Sequence, residues 1–196
     1  MKQQSTPSPT KLKIAKEAEK LFAQKGYAAT SMEDITNVSE SSKGSIYYHF
    51  KSKEKLFLYI VENNADEWKR AWNIKQKNYR TSVEKLYALA DHYLEDLQSP
   101  LIKAAEEFGG SETADPEIFA HILEIYRSQY YDTYEAVIDQ GINEGAFTED
   151  NPKDLMYILF GMHAGLHATY YEMEFPEIRR LYHKSVDVFL KGISKH

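Results

Sequence analysis

Cysteine is absent from this 196-residue sequence, so it holds no disulfide framework, no thiolate nucleophile and no cysteine-ligated zinc or iron–sulfur site. Long apolar runs are absent too. The longest, Leu155 to Met162, is about eight residues, against the roughly 20 that a bilayer-spanning helix needs. Residues Met1 to Thr10 are polar and rich in Pro and Ser, without the apolar centre of a secretory signal, and read as a flexible arm. No stretch alternates polar with β-branched residues, so no sheet is expected. Walker loops, glycine-rich dinucleotide turns and serine elbows are missing. A di-metal carboxylate bundle wants Glu three residues before His, and none of the seven histidines has one. Neither an enzyme nor a cofactor is therefore expected.

What is present is a soluble, helix-forming composition: 42% hydrophobic residues with a mean hydropathy of -0.58, enough for one domain or two small ones. The net charge of -6 is unevenly spread. Residues 1–60 carry ten Lys against six Asp and Glu, and the remaining residues carry 14 Lys and Arg against 24 acids. A basic head on an acidic body points the head toward a polyanion.

Periodicity and caps predict about nine helices. The first runs over Lys11–Lys25, with Ile14, Ala18, Leu21 and Phe22 as its stripe and Gly26 as its stop. The second opens at Thr30, read as N-cap of a capping box closed by Glu33, and ends near Val38. The third covers Lys43–Phe50, and Ser52 caps a fourth that reaches Asn78. Others are expected over Ser82–Gln98, Leu101–Phe108, Asp115–Gly145, Asn151–Glu172 and from Pro176 to near Ile193. Pro116, Pro152 and Pro176 sit in first turns, where their missing N–H costs nothing.

Three short helices in about 40 residues, the last two joined by a four-residue turn, suggest a helix-turn-helix. With Ile46 and Phe50 as its buried face, the third helix leaves Lys43, Ser45, Tyr47, Tyr48 and His49 outward. Either tyrosine singly could pack on the first or fourth helix, but an outward Tyr-Tyr-His cluster asks for a partner. Lys and His meet phosphates, and Tyr and Ser reach phosphates or base edges. The segment from Ala15 to Phe57 resembles the DNA-binding domain of the TetR/AcrR family of bacterial transcriptional repressors. The resemblance rests on Ala18-Glu19-Lys20-Leu21-Phe22, Lys25-Gly26-Tyr27, Thr30-Ser31-Met32-Glu33-Asp34-Ile35 and the run from Lys43 to Glu54.

That resemblance implies an all-α fold. A three-helix DNA-binding domain (11–57) would join through helix 4 to an effector-binding and dimerisation domain (58–196), behind the N-terminal arm (1–10). It implies DNA contacts by Thr30, Ser31, Lys43, Gly44, Ser45, Tyr47, Tyr48, His49 and Lys53, with Lys2, Lys11 and Lys13 adding backbone contacts. The turn departs from the family pattern: Glu40 and Ser41 stand where glycine and an apolar residue are usual. A left-handed Glu40 would cost roughly 1 kcal/mol.

In the body, the helix beginning at Pro152 reads as apolar on nearly all faces and carries Gly161, Ala164, Gly165 and Ala168 at three- and four-residue spacing. Such a face invites close approach of another helix. With Leu181, Ser185, Val188 and Phe189 of the last helix it predicts a homodimer interface, matching two half-sites of a palindrome. Trp68, Trp72, Tyr87, Tyr93, Phe108, Tyr126, Tyr130, His167 and Tyr170 are candidate walls of an effector pocket. Stacking and cation–π contact would suit a flat, apolar or cationic molecule, helped by Glu106, Glu107 or Glu124. His163 and His167, four apart, leave a metal-responsive alternative open. The expected protein is thus a cytoplasmic, ligand-controlled repressor bound to double-stranded DNA and not to a membrane. An activator or a co-repressor-dependent regulator is the alternative.

Overall fold

The computed structural model describes residues 7–111, 114–169 and 172–193. Among them are nine α-helices and no strand: α1 (Pro9–Lys25), α2 (Met32–Ser39), α3 (Lys43–Phe50), α4 (Lys53–Lys75), α5 (Ser82–Asp96), α6 (Pro100–Gly109), α7 (Pro116–Asn143), α8 (Pro152–His167) and α9 (Phe175–Ile193). A 3-10 turn, Gln76–Asn78, follows α4. No described helix is long and apolar enough to cross a membrane.

Most helix starts follow from short polar side chains that accept otherwise unpaired N–H groups. Ser8, Ser42, Thr81, Ser99 and Asn151 do this for α1, α3, α5, α6 and α8. Asp115 accepts the Glu117 N–H at 2.9 Å before α7. The second helix departs from expectation. Its N-cap is Ser31, whose hydroxyl takes the Asp34 N–H while Asp34 accepts the Ser31 N–H. Thr30 is drawn inward, 1% exposed, and its hydroxyl donates to Gly26 O at 2.8 Å. With its hydroxyl turned to Gly26 O, Thr30 does not cap α2, and the box closes one residue later.

The chain forms two compact units. One holds the described parts of residues 1–64 and 99–125, the other those of 65–98 and 126–196, so α4 and α7 each contribute to both. In the first unit, Ile14, Ala18 and Phe22 of α1 pack with Ile35, Ile46, Leu56, Phe57 and Phe108, all fully buried. Each such large side chain stabilises the fold by about 1.5–3 kcal/mol. Phe22, Tyr27, Phe57 and Phe108 form one ring cluster with centroids 4.8–5.7 Å apart.

In the second unit α9 packs on both α5 and α8. The eighth helix is shorter than expected, giving way to a turn after His167. Within the chain it buries one face only, through Leu155, Met156, Leu159 and His163. Its all-round apolarity therefore does not reflect burial inside the protomer: Tyr157 and Ile158 are about half exposed.

Candidate nucleic-acid interface and aromatic core

The recognition helix α3 is held from below. Ile46 and Phe50 are buried, and Ser42 fixes its start by accepting the Ser45 N–H at 3.1 Å. The opposite face carries the exposed Lys43, Gly44 and Tyr47, with Tyr48 the most open at 74%. Ser45 and His49 lie half-buried at its edges. A Cβ at Gly44 would meet only Ser42 Oγ, at 4.0 Å, so nothing in this unit requires glycine there. Both tyrosines stay outside the core. Lys51, which the sequence marks only as the end of α3, closes that helix with φ 63° and places its ammonium 5.7 Å from the Tyr48 ring. Its position two residues beyond His49, the end of the outward cluster, is the signal for it.

The turn before α3 is strained as its sequence suggested. Glu40 is left-handed, φ 49° and ψ 32°, and its carboxylate pairs with Lys13 at 3.1 Å. Ser41 donates to Ser39 O at 3.2 Å. Lys11 and Lys13 belong to α1 and not to an arm: the Lys11 ammonium lies 4.0 Å from the Tyr59 ring centroid. Lys2 and residues 1–6 of the expected arm lie outside the described residues.

At the start of α2, Ser31 is exposed, but Asp34 already accepts its N–H and its hydroxyl at 3.0 and 2.8 Å. Those bonds, with Lys25 alongside, hold the Asp34 carboxyl below its usual range. Thr30 has no exposed hydroxyl to offer a phosphate. Lys53 is also engaged: its ammonium donates to Tyr27 O at 3.0 Å and to Thr30 O at 2.9 Å.

The aromatic residues of the body divide. Phe108 belongs to the core of the first unit and touches Tyr27, Phe57 and Phe119, so it is no wall of a pocket in the second. Trp68, Trp72, Tyr93 and Tyr130 are buried together in the second. His92 stacks between the two indoles, 4.4 Å from Trp68 and 5.7 Å from Trp72. Tyr130 touches Trp68, Tyr93, Tyr126 and Phe160. Tyr87 instead hydrogen-bonds Asp187 on α9. Tyr170 lies outside the described residues, and His167 is half-buried at the end of α8.

Asp96 is the polar centre of this cluster. Its Oδ2 accepts from the Tyr130 hydroxyl at 2.7 Å and from Gln129 Nε2 at 3.0 Å. Burial pushes its carboxyl above the usual range, and the two hydrogen bonds pull only partly back. Among the described residues no cation lies within 4 Å of it. The acid beside these rings is Asp96 and not Glu106, Glu107 or Glu124, the acids expected from the sequence. Its spacing from Tyr93 and His92, three and four residues, was the available signal. Glu106, Glu107 and Glu124 fall in the first unit.

Among the described residues of the second unit, two buried ring nitrogens lack a hydrogen-bond partner: Trp68 Nε1 and His163 Nε2. Tyr134 bonds His163 Nδ1 at 2.6 Å, and burial lowers the imidazole to about 3. His163 is buried, and the described residues hold no group of three His, Asp or Glu fit for a metal. A groove of about 300 Å³ opens beside Trp72, lined also by Lys69, Asn73, Thr133, Val137 and Gln140.

The expected dimer residues divide as well. Gly161, Ala164, Gly165, Ala168 and Val188 are exposed and Leu181 half-buried. Cβ atoms added at Gly161, Gly165 or Gly192 meet nothing within 4 Å, so no neighbouring helix of this chain explains these glycines. Ser185 and Phe189 point inward and are buried in their own protomer, Ser185 donating to Tyr182 O.

Comparison with known proteins covers almost the whole chain. Residues 14–60 match the family described as bacterial regulatory proteins, tetR family, and residues 64–195 match the QacR-like protein C-terminal region. The HTH-type transcriptional regulator QacR of Staphylococcus aureus is 30% identical over 188 residues, covering 93% of this chain and 97% of its own. IcaR of Staphylococcus epidermidis, a negative transcriptional regulator of the biofilm operon icaADBC, is 28% identical over 65% of this chain and 72% of its own. The transcriptional regulator FadR of Bacillus subtilis, solved with stearoyl-CoA, shares the fold with a TM-score of 0.74 at 20% identity, covering 93% of this chain and 98% of that one.

Proposed function

The chain belongs to the tetR family of bacterial regulatory proteins, which are DNA-binding transcriptional regulators and not enzymes, and on that premise we propose that it is a repressor that binds a palindromic operator as a homodimer and releases it when a small molecule fills its body. The observation that carries the DNA reading is the outward Tyr47–Tyr48 pair beside Lys43, held over the buried Ile46 and Phe50. Aromatic side chains left in water on a rigid helix are suited to thymine methyls and phosphates. Lys43, Gly44 and Ser45 bring the helix start into the groove, and Ser31, His49 and Lys51 flank it. Thr30 is left out of the contact set because its hydroxyl is buried. The DNA-binding part is residues 11–57, and residues 58–196 carry effector and dimer functions.

The open glycine face of α8, with Leu181 and Val188, supports the dimer. A two-fold axis would place two recognition helices on half-sites about one DNA turn apart. The effector reading rests on Asp96. A half-buried carboxylate that accepts from the neutral donors Tyr130 and Gln129, walled by Tyr93, Tyr130 and Trp68, suits a flat cation: ring faces and carboxylate both favour positive charge. FadR, of the same fold, was solved with a small molecule bound. Such a ligand acts only by preferring the DNA-incompetent state, and coupling of about 1–3 kcal/mol is typical. As a DNA-directed regulator the protein would work in the cytoplasm.

Selection of sites from a random duplex pool, followed by titration at several salt concentrations, tests this reading. Enrichment of a palindrome bound far more tightly than random DNA is the expected result. Weak, salt-sensitive binding without a motif would overturn it.

A further inference from the structure

Residues 30 and 53 bracket the helix-turn-helix: Ser31 caps α2 immediately after the first, and α3 ends three residues before the second. The two bracketing residues are bonded to each other. Lys53 Nζ donates to Thr30 O at 2.9 Å and to Tyr27 O at 3.0 Å, and lies 4.1 Å from the centroid of the Tyr27 ring. Two carbonyls and a ring face form a cage for one ammonium. No carboxylate among the described residues lies within 4 Å of that nitrogen.

The cage is itself braced. Tyr27 is 5% exposed and packs on Phe22, Phe57 and Phe108. The Thr30 hydroxyl closes the other side of the turn on Gly26 O. Burial lowers the Lys53 ammonium, and adjacent Glu54 partly restores it. Two of its three N–H donors are consumed by the protein.

We infer that Lys53 is a positioning residue for DNA binding: it clamps the turn before α2 to the start of α4 and so fixes the entry of α2 against the exit of α3, instead of serving as a phosphate ligand. The inference rests on the DNA-binding reading above. Without the clamp the two ends of the helix-turn-helix are tied only through the core, and α3 presents Lys43, Tyr47 and Tyr48 at a less constant angle. Small errors in such placement cost affinity at every contact.

The test uses the full-length protein and a duplex selected by the native protein, with Lys53→Met and Lys53→Arg as variants. Lys53→Met keeps the aliphatic stem and removes donors and charge. Affinity is measured well below the melting temperature across a salt series, alongside hydrogen exchange at the backbone amides of residues 31–36. The clamp predicts at least a tenfold loss of affinity, an unchanged salt slope and faster exchange at the start of α2. A lost phosphate contact would instead make the slope shallower by about one with exchange unchanged, overturning the inference. Lower thermal stability with undiminished affinity would overturn it too, because the lysine would then be structural only. Lys53→Arg keeps a phosphate-binding charge but replaces the compact ammonium by a planar fork. It should also lose affinity, and native affinity in that variant would speak for a phosphate. If Lys53→Met does not fold, Lys53→Arg decides by the same readouts. Should the native protein select no duplex, the DNA reading fails, while the exchange measurement still judges the clamp.

Discussion

Replacing Glu40 by glycine should stabilise the protein. Glu40 ends α2 in the left-handed region, φ 49° and ψ 32°, where a Cβ meets the following carbonyl oxygen at a cost of about 1–2 kcal/mol. Glycine removes that cost but gives the unfolded chain more freedom, an opposing effect of about 0.5 kcal/mol. It also deletes the Lys13–Glu40 ion pair, whose side chains are 50% and 81% exposed. A pair that open contributes about 0–0.5 kcal/mol. The net gain for Glu40→Gly is then about 0–1.5 kcal/mol, centred on ~0.75 kcal/mol. Glu40→Ala is the control: it loses the same ion pair and keeps the strain, so it should be neutral or weaker than native by about 0–0.5 kcal/mol. Urea unfolding at one fixed protein concentration measures both, since association makes stability concentration-dependent. For a slope of about 2–3 kcal/mol/M the central value corresponds to a glycine midpoint higher by roughly 0.2–0.4 M. A glycine variant no more stable than the alanine variant would refute the reasoning, because the two differ mainly in tolerance of positive φ.

Tyr48→Ala should lower operator affinity at least tenfold while the unfolding midpoint stays put, since the ring is 74% exposed; unchanged DNA binding by the folded variant would remove Tyr48 from the interface. Gly165→Leu places a side chain in space that is empty within the chain, so the helical signal should persist while sedimentation shows a monomer. A dimer of native strength in that variant would move the interface elsewhere. His163 is held neutral down to about pH 3 in the folded chain and titrates near its usual 6.5 when unfolded. Between those values the unfolded state binds more protons, so stability should fall as pH drops from about 6.5 toward 3. Urea midpoints of His163→Gln at stepped pH should show a shallower decline, and parallel curves would mean that other groups carry it.

The head was legible because its signals are local. A stripe such as Ile14, Ala18, Leu21 and Phe22 needs only helical spacing to be recognised, and all four are buried. The outward set on α3 follows from placing Ile46 and Phe50 inward, and the strain at Glu40 from one residue in a turn that prefers glycine. At the start of α2 two sequence-adjacent hydroxyls compete for one role. Thr30 and Ser31 can each cap a helix, and burial of Thr30 against α1 decided between them.

Helix class, the approximate helix limits, the basic head, the recognition face and the small-residue face of α8 are thus properties of the sequence itself, because period, caps and charge are encoded over a few residues. Tertiary structure alone decided that Phe108 serves the core of the DNA-binding unit, that Asp96 and not Glu106, Glu107 or Glu124 sits among the buried rings, and that Ser185 and Phe189 turn inward. It also decided that Lys53 spends its donors on Tyr27 and Thr30. Each of these outcomes depends on which helix faces which, over separations of 23 residues for Lys53 and Thr30 and 34 for Asp96 and Tyr130. Local periodicity states that a residue lies on an apolar or polar face. The identity of the partner across that face is set by how the helices pack, and that is where the chemistry of a half-buried carboxylate or a caged ammonium is determined.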